Sequence, residues 1–504
     1  MRKQVKDVIS GKNLTNMWCQ KIAKISAMAV VVGLLFGCVV GPDFKQPPAP
    51  NVTAYTAVPF PDTTTLAPTR LGASQRLVED RAINPHWWKD LGSGKLNALI
   101  IEALQASPTL ASARATLRQA QENYAAKSGW TRYPQAEANI TGQRQRFNPG
   151  SSGLTGDPRE FELFNAGIGL RYNLDLFGRN RRILEALAAE IDYQRFQLAG
   201  ARLALTSHVA STAISQARFA SQIQATEAIL HVQEEQLELT REKVRLDQAA
   251  PEEILTLQTR VEQTRADIPL LLNQLQRSEH LLAVLTGKEP GAAGTPSFSL
   301  QDFNLPVVLP LIVPSELVRA RPDIQAAEAL LQKANAEYGV AIANLYPQLN
   351  LSANLGSQAL SIGGLFGSGS AVWNLAGQLT QPLFNSGLSA EKRAALAAFD
   401  AALENYRNIV LESLRNVADV LCDLENDSRR LSAFSVANMA SQKALDIMKN
   451  RYEMGAADYI ELLIAQQQSQ KTEMDLIEVQ AQRLLNSVAF LVAMGGGMPS
   501  SDAP

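Results

Sequence analysis

The chain says nearly everything twice, and that duplication limits what it can fold into. Ser107-Pro108-Thr109-Leu110, then Tyr124, then Tyr133-Pro134-Gln135 is echoed by Arg321-Pro322-Asp323-Ile324, Tyr338 and Tyr346-Pro347-Gln348. Leu176-Phe177-Gly178 is matched by Leu383-Phe384-Asn385, and Leu187-Ala188-Ala189 by Leu396-Ala397-Ala398. Leu285-Thr286-Gly287 closes the first half as Ala493-Met494-Gly495 closes the second. The offset drifts only from 214 residues at Pro108/Pro322 to 208 at Gly287/Gly495. So slow a drift marks a duplicated unit of roughly two hundred residues. Two copies do not make a solenoid. They predict a protomer with pseudo-twofold symmetry.

Each copy opens helical, becomes a strand pair and returns to long helices. After Pro134, Ala136, Ala138 and Ile140 share one face, against Gln135, Glu137, Asn139 and Thr141. The second copy sets Leu349, Leu351, Ala353 and Leu355 against Gln348, Asn350, Ser352 and Asn354. The first returning strand alternates Phe164, Ala166, Ile168, Leu170, Tyr172, Leu174 and Leu176 with polar residues or glycine; its counterpart over 373–383 alternates less cleanly. Period-two alternation over about ten residues suits a membrane-spanning barrel strand, apolar to lipid and polar to lumen. It also fits a half-solvated soluble hairpin. Aromatic residues near the strand ends (Trp130, Tyr133, Phe161, Tyr172, Phe177, Trp373) favour the membrane. The intervening turns at 148–153 and 362–367 are rich in Gly and Ser. Four strands cannot close a barrel, for which about eight are the practical minimum. Spanning strands would have to be shared between chains.

Residues 179–247 contain no proline and a single glycine, Gly200. They predict one helix about 100 Å long at ~1.5 Å per residue. Residues 389–454 predict its counterpart. There Leu396, Leu403, Val410, Val417, Leu424 and Leu431 keep a strict seven-residue spacing, as Ile223, Leu230, Leu237 and Val244 do in the first copy. Such a repeat makes packed helices supercoil left-handedly. A short break at 248–251 or 455–456 precedes a helix of half the length, ending near Gly287 or Gly495. With the helix before the strands covering the other half, each copy supplies one long and two stacked half-helices.

Lys21 and Lys24 precede a short apolar run, 25–36, that ends at Gly37-Cys38. It is too short to span a membrane and reads as an export signal, with Met17 as a possible start. Leu35-Phe36-Gly37-Cys38 resembles a lipobox, so Cys38 is expected to carry lipid, palmitate among its acyl chains. Cys19 leaves with the signal, and Cys422 remains as a lone thiol, expected to be a small packed side chain. No disulfide framework is possible. Without residues 1–37 the chain keeps 41 basic and 48 acidic residues, a net charge near −7. That balance argues against nucleic acid as a partner.

Taken in order, these features resemble the outer-membrane factor (TolC-like) family, in its lipoprotein branch that serves tripartite efflux systems of the RND type. Cys38-Val39-Val40-Gly41-Pro42-Asp43-Phe44 is similar to the acylated start of that branch. Val318-Arg319-Ala320-Arg321-Pro322-Asp323-Ile324, with Ala327-Glu328, Ala334-Asn335-Ala336 and Gly339-Val340-Ala341, resembles its best-known motif, with Ala320 where Arg is usual. Pro382-Leu383-Phe384-Asn385-Ser386-Gly387, Tyr406-Arg407, Val417-Ala418-Asp419, Arg451-Tyr452, Gly455, Tyr459 and Ala465-Gln466 also match. The resemblance implies a mainly α fold with a small β part. Long coiled-coil-like helices would form a periplasmic α-barrel, and four strands per chain a twelve-stranded transmembrane β-barrel in a homotrimer. It implies a periplasmic adaptor and an inner-membrane transporter of the RND type as partners, contact with outer-membrane lipid, and no cofactor beyond the covalent lipid on Cys38. It also implies a periplasmic constriction at the helix turns. Candidate gate residues are Tyr452, Asp458, Glu453, Asp247, Glu252 and Glu253. Ala457, Ile464 and Gln467 stand where the family usually has Asp, Asp and Arg.

The expected organisation is a signal peptide over 1–37, a lipidated Pro-rich extended arm over 38–94 and a first repeat over 95–290 with strands at about 134–146 and 161–177. A linker over 291–314, a second repeat over 315–496 with strands at about 347–358 and 372–384, and a tail over 497–504 follow. The Pro-rich arm is read as wrapping the trimer. His86, His208, His231 and His280 are scattered without metal spacing, and no phosphate loop or nucleophile elbow is present. An enzyme is not expected. The expected function is passive conduction of drugs or other small solutes to the exterior. A protein-secretion duct and a periplasmic coiled-coil adaptor remain as alternatives.

Overall fold

The computed structural model describes residues 39–79, 83–153, 155–292 and 294–497. The signal segment and Cys38 lie outside them. The first half contains β1 (Arg76–Glu79), α1 (Gly94–Ala106), α2 (Pro108–Arg132), β2 (Gln135–Phe147), β3 (Arg159–Leu174), α3 (Arg179–Arg245) and α4 (Pro251–Leu285). The second contains β4 (Val308–Leu311), α5 (Pro314–Ala320), α6 (Pro322–Ala343), β5 (Gln348–Ala359), β6 (Ala371–Thr380), α7 (Ser386–Glu453) and α8 (Tyr459–Ala493). From α2 and α6 onward the two halves run through the same succession of elements.

The chain divides into two compact units. One holds the described residues to Lys45 together with Gln119–Ile191 and Ala329–Leu403. Its centre is a four-stranded antiparallel sheet in the order β2-β3-β5-β6. Register places Ala138, Ile168, Leu355 and Trp373 on one face, and Asn139, Gly167 and Gly356 on the other. β6 keeps this alternation through Trp373, Leu375 and Leu379 and ends at Thr380, short of the predicted 384. The apolar face is open: Ile140 is 83 % exposed and Trp373 79 %. Side chains of that kind face lipid in a spanning sheet.

The other unit holds Gln46–Arg118, Asp192–Glu328 and Glu404–Pro504. Its core gathers Trp87, Trp88, Leu96, Ile100, Phe303 and Phe490, each at most 2 % exposed. The duplication is visible in its packing. A Cβ on Gly287 would lie 2.5 Å from the Ala106 carbonyl oxygen, and one on Gly495 would lie 2.3 Å from that of Ala320. Each half thus ends in a left-handed glycine pressed against the residue two before its helix-starting proline (φ 74° and 91°). Both positions require glycine. The predicted heptad stripe of α7 is buried at Val410, Val417, Leu424 and Leu431, whereas Leu396 is 40 % exposed.

Two features were not expected from sequence. β1 pairs in parallel with β4, joining the N-terminal arm to the linker. The arm also docks on its own protomer, through a buried polar seam. Arg483, 1 % exposed, donates to Thr64 Oγ1 at 3.0 Å and Ala73 O at 2.7 Å. Gln75 Nε2 donates to Pro306 O and Ser487 Oγ, both at 2.9 Å. Burial lowers the Arg483 pKa to about 10 although Asp427 and Glu425 pull it upward. One expectation is corrected. Cys422 is exposed in the protomer, because it lies one residue past Leu421, on the side of α7 turned away from the core.

The motif around Pro322 also acquires a physical role. Arg321 grips Asp323 through Nε and Nη2, at 3.0 and 2.7 Å. It also donates to Asn416 Oδ1 at 3.1 Å and Ala493 O at 3.0 Å, tying the start of α6 to α7 and α8. Burial of Asp323 opposes its ionisation. The Arg321 hydrogen bonds and charge, with the Ile324 N–H, prevail and hold its pKa below 3.8. A carboxyl depressed on folding stabilises above its unfolded pKa and loses that contribution as pH falls through the folded value. Urea midpoints should therefore hold from pH 7 to 5 and fall below about pH 4, and Asp323→Asn should remove part of that acid dependence.

Candidate functional site

The two turns that join long to short helices belong to one unit and close alike. Gln248 N–H donates to Lys243 O at 2.8 Å and Asp247 N–H to Val244 O at 3.1 Å. After α7, Ala456 N–H donates to Arg451 O at 2.8 Å and Gly455 N–H to Tyr452 O at 3.0 Å. These are the paired bonds of a left-handed C-terminal cap. Gly455 takes the left-handed position in the second turn (φ 70°) and Asp247 in the first (φ 57°).

The carboxylates expected at the gate divide by role. Asp458 Oδ1 accepts the Glu461 N–H at 2.8 Å, and a Glu461 carboxylate oxygen accepts the Asp458 N–H at 3.3 Å. This reciprocal pair caps α8. Glu253 accepts the Ala250 N–H at 3.4 Å at the start of α4. Asp247, Glu252 and Glu453 are exposed. Asp458 therefore has a structural duty that can be separated from charge. Alanine should cost the first turn of α8 about 1 kcal/mol and raise the conductance of the channel in a planar bilayer. Asparagine keeps the acceptor and should leave conductance near wild type; a rise for asparagine as well would assign closure to the charge.

Tyr452 links the two helix pairs. Lys243 Nζ donates to its phenol oxygen at 3.2 Å and lies 4.7 Å from its ring centroid. The ring meets Tyr459 edge-on, with centroids 6.2 Å apart at 61°. Tyr459 is buried among Leu237, Leu257 and Val261, and its hydroxyl has no partner among the described residues. Burial, then the nearby Tyr452 and Glu253, push its pKa up, so it stays neutral. Sequence reasoning found Tyr452 and missed Lys243. A lysine in the last turn of a helix is common, and nothing local marks a partner 209 residues away.

A second site holds the start of the described chain. Val40 N–H donates to Phe177 O at 3.2 Å. Arg182, its side chain 3 % exposed, donates to Gly41 O at 3.0 Å, Asp43 Oδ1 at 2.9 Å and Glu185 Oε2 at 2.7 Å. Asn335 Nδ2 donates to Pro42 O at 3.1 Å. A Cβ on Gly41 would lie 2.9 Å from the Gly339 Cα, and one on Gly339 would lie 2.9 Å from the Arg182 Cδ, so Gly41 lets the arm pass close to α6 and Gly339 leaves room for the guanidinium arm that holds it. Residues 39–43 are thus fixed immediately after the expected acylation site. Among the described residues no His, Cys, Asp or Glu group could hold a metal, and no helix is long and apolar enough to cross a membrane.

A family model described as outer membrane efflux protein matches residues 99–288 and 313–496. The chain belongs to the outer membrane efflux protein family. Outer membrane protein OprJ of Pseudomonas aeruginosa is 28 % identical over 93 % of this chain and 95 % of its own length. Cation efflux system protein CusC of Escherichia coli is 27 % identical over 92 % and 96 %, and pyoverdine export outer membrane protein OpmQ of P. aeruginosa is 29 % identical over 82 % and 88 %. The outer-membrane channel OprN superposes with a TM-score of 0.81 at 28 % identity, over 91 % of this chain and 99 % of its own. The open-state outer membrane channel MtrE of Neisseria gonorrhoeae gives 0.78 at 25 % identity, over 91 % and 98 %. This efflux family member is therefore a conduit of the outer membrane and not an enzyme. The fold class expected from sequence holds, and a pore-less periplasmic adaptor is ruled out.

Proposed function

We propose that three copies of this chain form a duct anchored by lipid on Cys38. The duct receives small solutes from a periplasmic adaptor and an inner-membrane transporter of the RND type and releases them outside. The observation that carries this reading is the four-stranded sheet with β2 and β6 at its edges. Four strands fall short of the ~8 that a barrel needs, and a threefold assembly supplies twelve. The exposed Leu396 and Leu411 on α7 support helix neighbours from another copy.

The sheet face opposite the apolar one carries Asn139, Asn165, Asn354 and Asn374. Neutral polar groups hydrate a solute without holding it, which suits passive conduction. No cofactor is needed. Tyr452 with Lys243 holds the periplasmic end shut, aided by the capped turns, until the adaptor engages. A groove between α3 and α4, lined by Glu234, Glu238, Arg241, Glu262 and Arg265, supports a polar adaptor surface. The relatives' names span cations, pyoverdine and toluene, which supports cargo choice by the transporter.

The test is a growth panel of antibiotics, dyes, detergents and metals on a deletion strain complemented in trans. Hypersensitivity to several compounds, restored by the intact gene, is the expected result. An unchanged panel with the protein confirmed in the outer membrane would favour a protein-secretion duct.

A further inference from the structure

The apolar face of the β2–β3 hairpin changes chemistry at one level. Up to Ile140, Ala166 and Phe164 it is apolar. The next two cross-strand pairs on the same face are Arg144 with Glu162 and Arg146 with Glu160. Arg144 Nη2 lies 3.0 Å from Glu160 Oε2, and Arg146 Nη1 lies 3.9 Å from Glu160 Oε1. One carboxylate therefore serves two guanidiniums, and most of their N–H donors find no partner among the described residues. Both side chains are open, Arg144 at 71 % and Arg146 at 67 %. At the same level the opposite, lumen-side face shows Gln143, Gln145, Phe161 and Leu163, all uncharged. The cluster Arg144, Arg146, Glu160 and Glu162 lies on the side that continues the lipid-facing band; the lumen-side face is next charged at Arg159, opposite Phe147.

Height fixes what these groups meet. A strand rises ~3.4 Å per residue and tilts about 40° in a barrel, so Arg144 stands roughly 5 Å and Arg146 roughly 10 Å above Gly142. The polar layer on each side of the hydrocarbon is about 5–8 Å deep, and long arginine side chains can adjust by several ångströms. The hairpin turn lies at the strand ends away from α2 and α3, which places this level in the outer leaflet. Exposed ion pairs contribute little to stability and have no need of a lipid-facing position. Guanidinium forks match phosphate oxygens in pairs.

We propose that Arg144 and Arg146 bind phosphate groups of the outer-leaflet glycolipid, with Glu160 setting the spacing of the two forks. The proposal rests on the outward placement of the hairpin turn. That placement is checked separately by labelling Asn148→Cys on whole cells with an impermeant maleimide.

The test uses the full-length channel in detergent, titrated with lipopolysaccharide bearing both lipid A phosphates, with its dephosphorylated form, and with inorganic phosphate. Binding is read as the rise in unfolding temperature. The phosphorylated lipid should bind wild type about tenfold more tightly than an Arg144→Gln/Arg146→Gln double variant, and Gln143→Ala/Gln145→Ala on the lumen side should bind as wild type does. If the double variant fails to fold, added salt should weaken binding of the phosphorylated lipid to wild type and leave that of the dephosphorylated form unchanged. Equal binding of the two lipid forms, unchanged binding by the folded double variant, or displacement by inorganic phosphate at equal concentration would overturn the proposal. If cysteine labelling at 148 fails while the lipid binds as expected in detergent, the outward placement falls and the assignment to the outer-leaflet glycolipid falls with it.

Discussion

Channels carrying Tyr452→Ala should conduct roughly ten to thirty times more current in a planar bilayer than wild type at the same protein density. The substitution removes the Lys243 hydrogen bond at 3.2 Å, the ammonium over the ring at 4.7 Å and the edge contact with Tyr459. A net hydrogen bond contributes about 1 kcal/mol and a half-exposed cation–π contact about 0.5–1 kcal/mol. Their loss, roughly 1.5–2 kcal/mol per protomer, raises an open-state population ten- to thirtyfold. Tyr452→Phe keeps the ring and loses only the hydroxyl, so about fivefold is expected of it. Lys243→Met should resemble the alanine variant, since it takes away the ammonium common to both contacts. Intact trimers of Tyr452→Ala with wild-type conductance would remove Tyr452 from the gate.

Arg182→Ala should free residues 39–46 from the protein surface. The guanidinium is the common partner of the Gly41 carbonyl, Asp43 and Glu185. Asp43 is 90 % exposed, so its pairing adds little. The weight lies in the buried fork and its carbonyl contact, and a hydrogen bond to a charged group is worth about 1.5–3 kcal/mol. Cleavage of this segment by a nonspecific protease should accelerate ten- to hundredfold, while the rest of the chain keeps its cleavage pattern. Arg182→Lys should fall between, because an ammonium reaches one acceptor well and cannot fork. Unchanged cleavage with alanine would mean that Val40 and Asn335 hold the segment without Arg182.

The strands were legible because two environments impose a period of two on them. Pro134 and Pro347 mark where the helices stop, and β2 and β5 begin at Gln135 and Gln348. The long helices were legible from uninterrupted heptads, and their ends from Pro251 and Gly455. What stayed hidden is long-range or short. β1 and β4 are four residues each, too brief to show a period, and their pairing spans the whole first repeat. The candidate gate residues were chosen by type, and the structure supplies what type does not carry: Asp458 is committed to a cap and Tyr452 to a lysine on another helix. Arg182 and Arg483 read as ordinary helical arginines in sequence. Only the fold shows that their partners come from the arm, 139 residues from Arg182 at Asp43 and 419 from Arg483 at Thr64.

The seam between arm and last helix has a consequence for the order in which the protein can be made. Gln75 and Ser487 are 412 residues apart, and Thr65 bonds Ser428 across 363. Contacts of such sequence separation form late, because the chain between them must be ordered first. The arm segment from Thr64 to Gln75 therefore has no docking place until the final helix has been made. The polar character of the seam suits this delay, since an arm that docks through hydrogen bonds and one buried guanidinium can wait in water without aggregating.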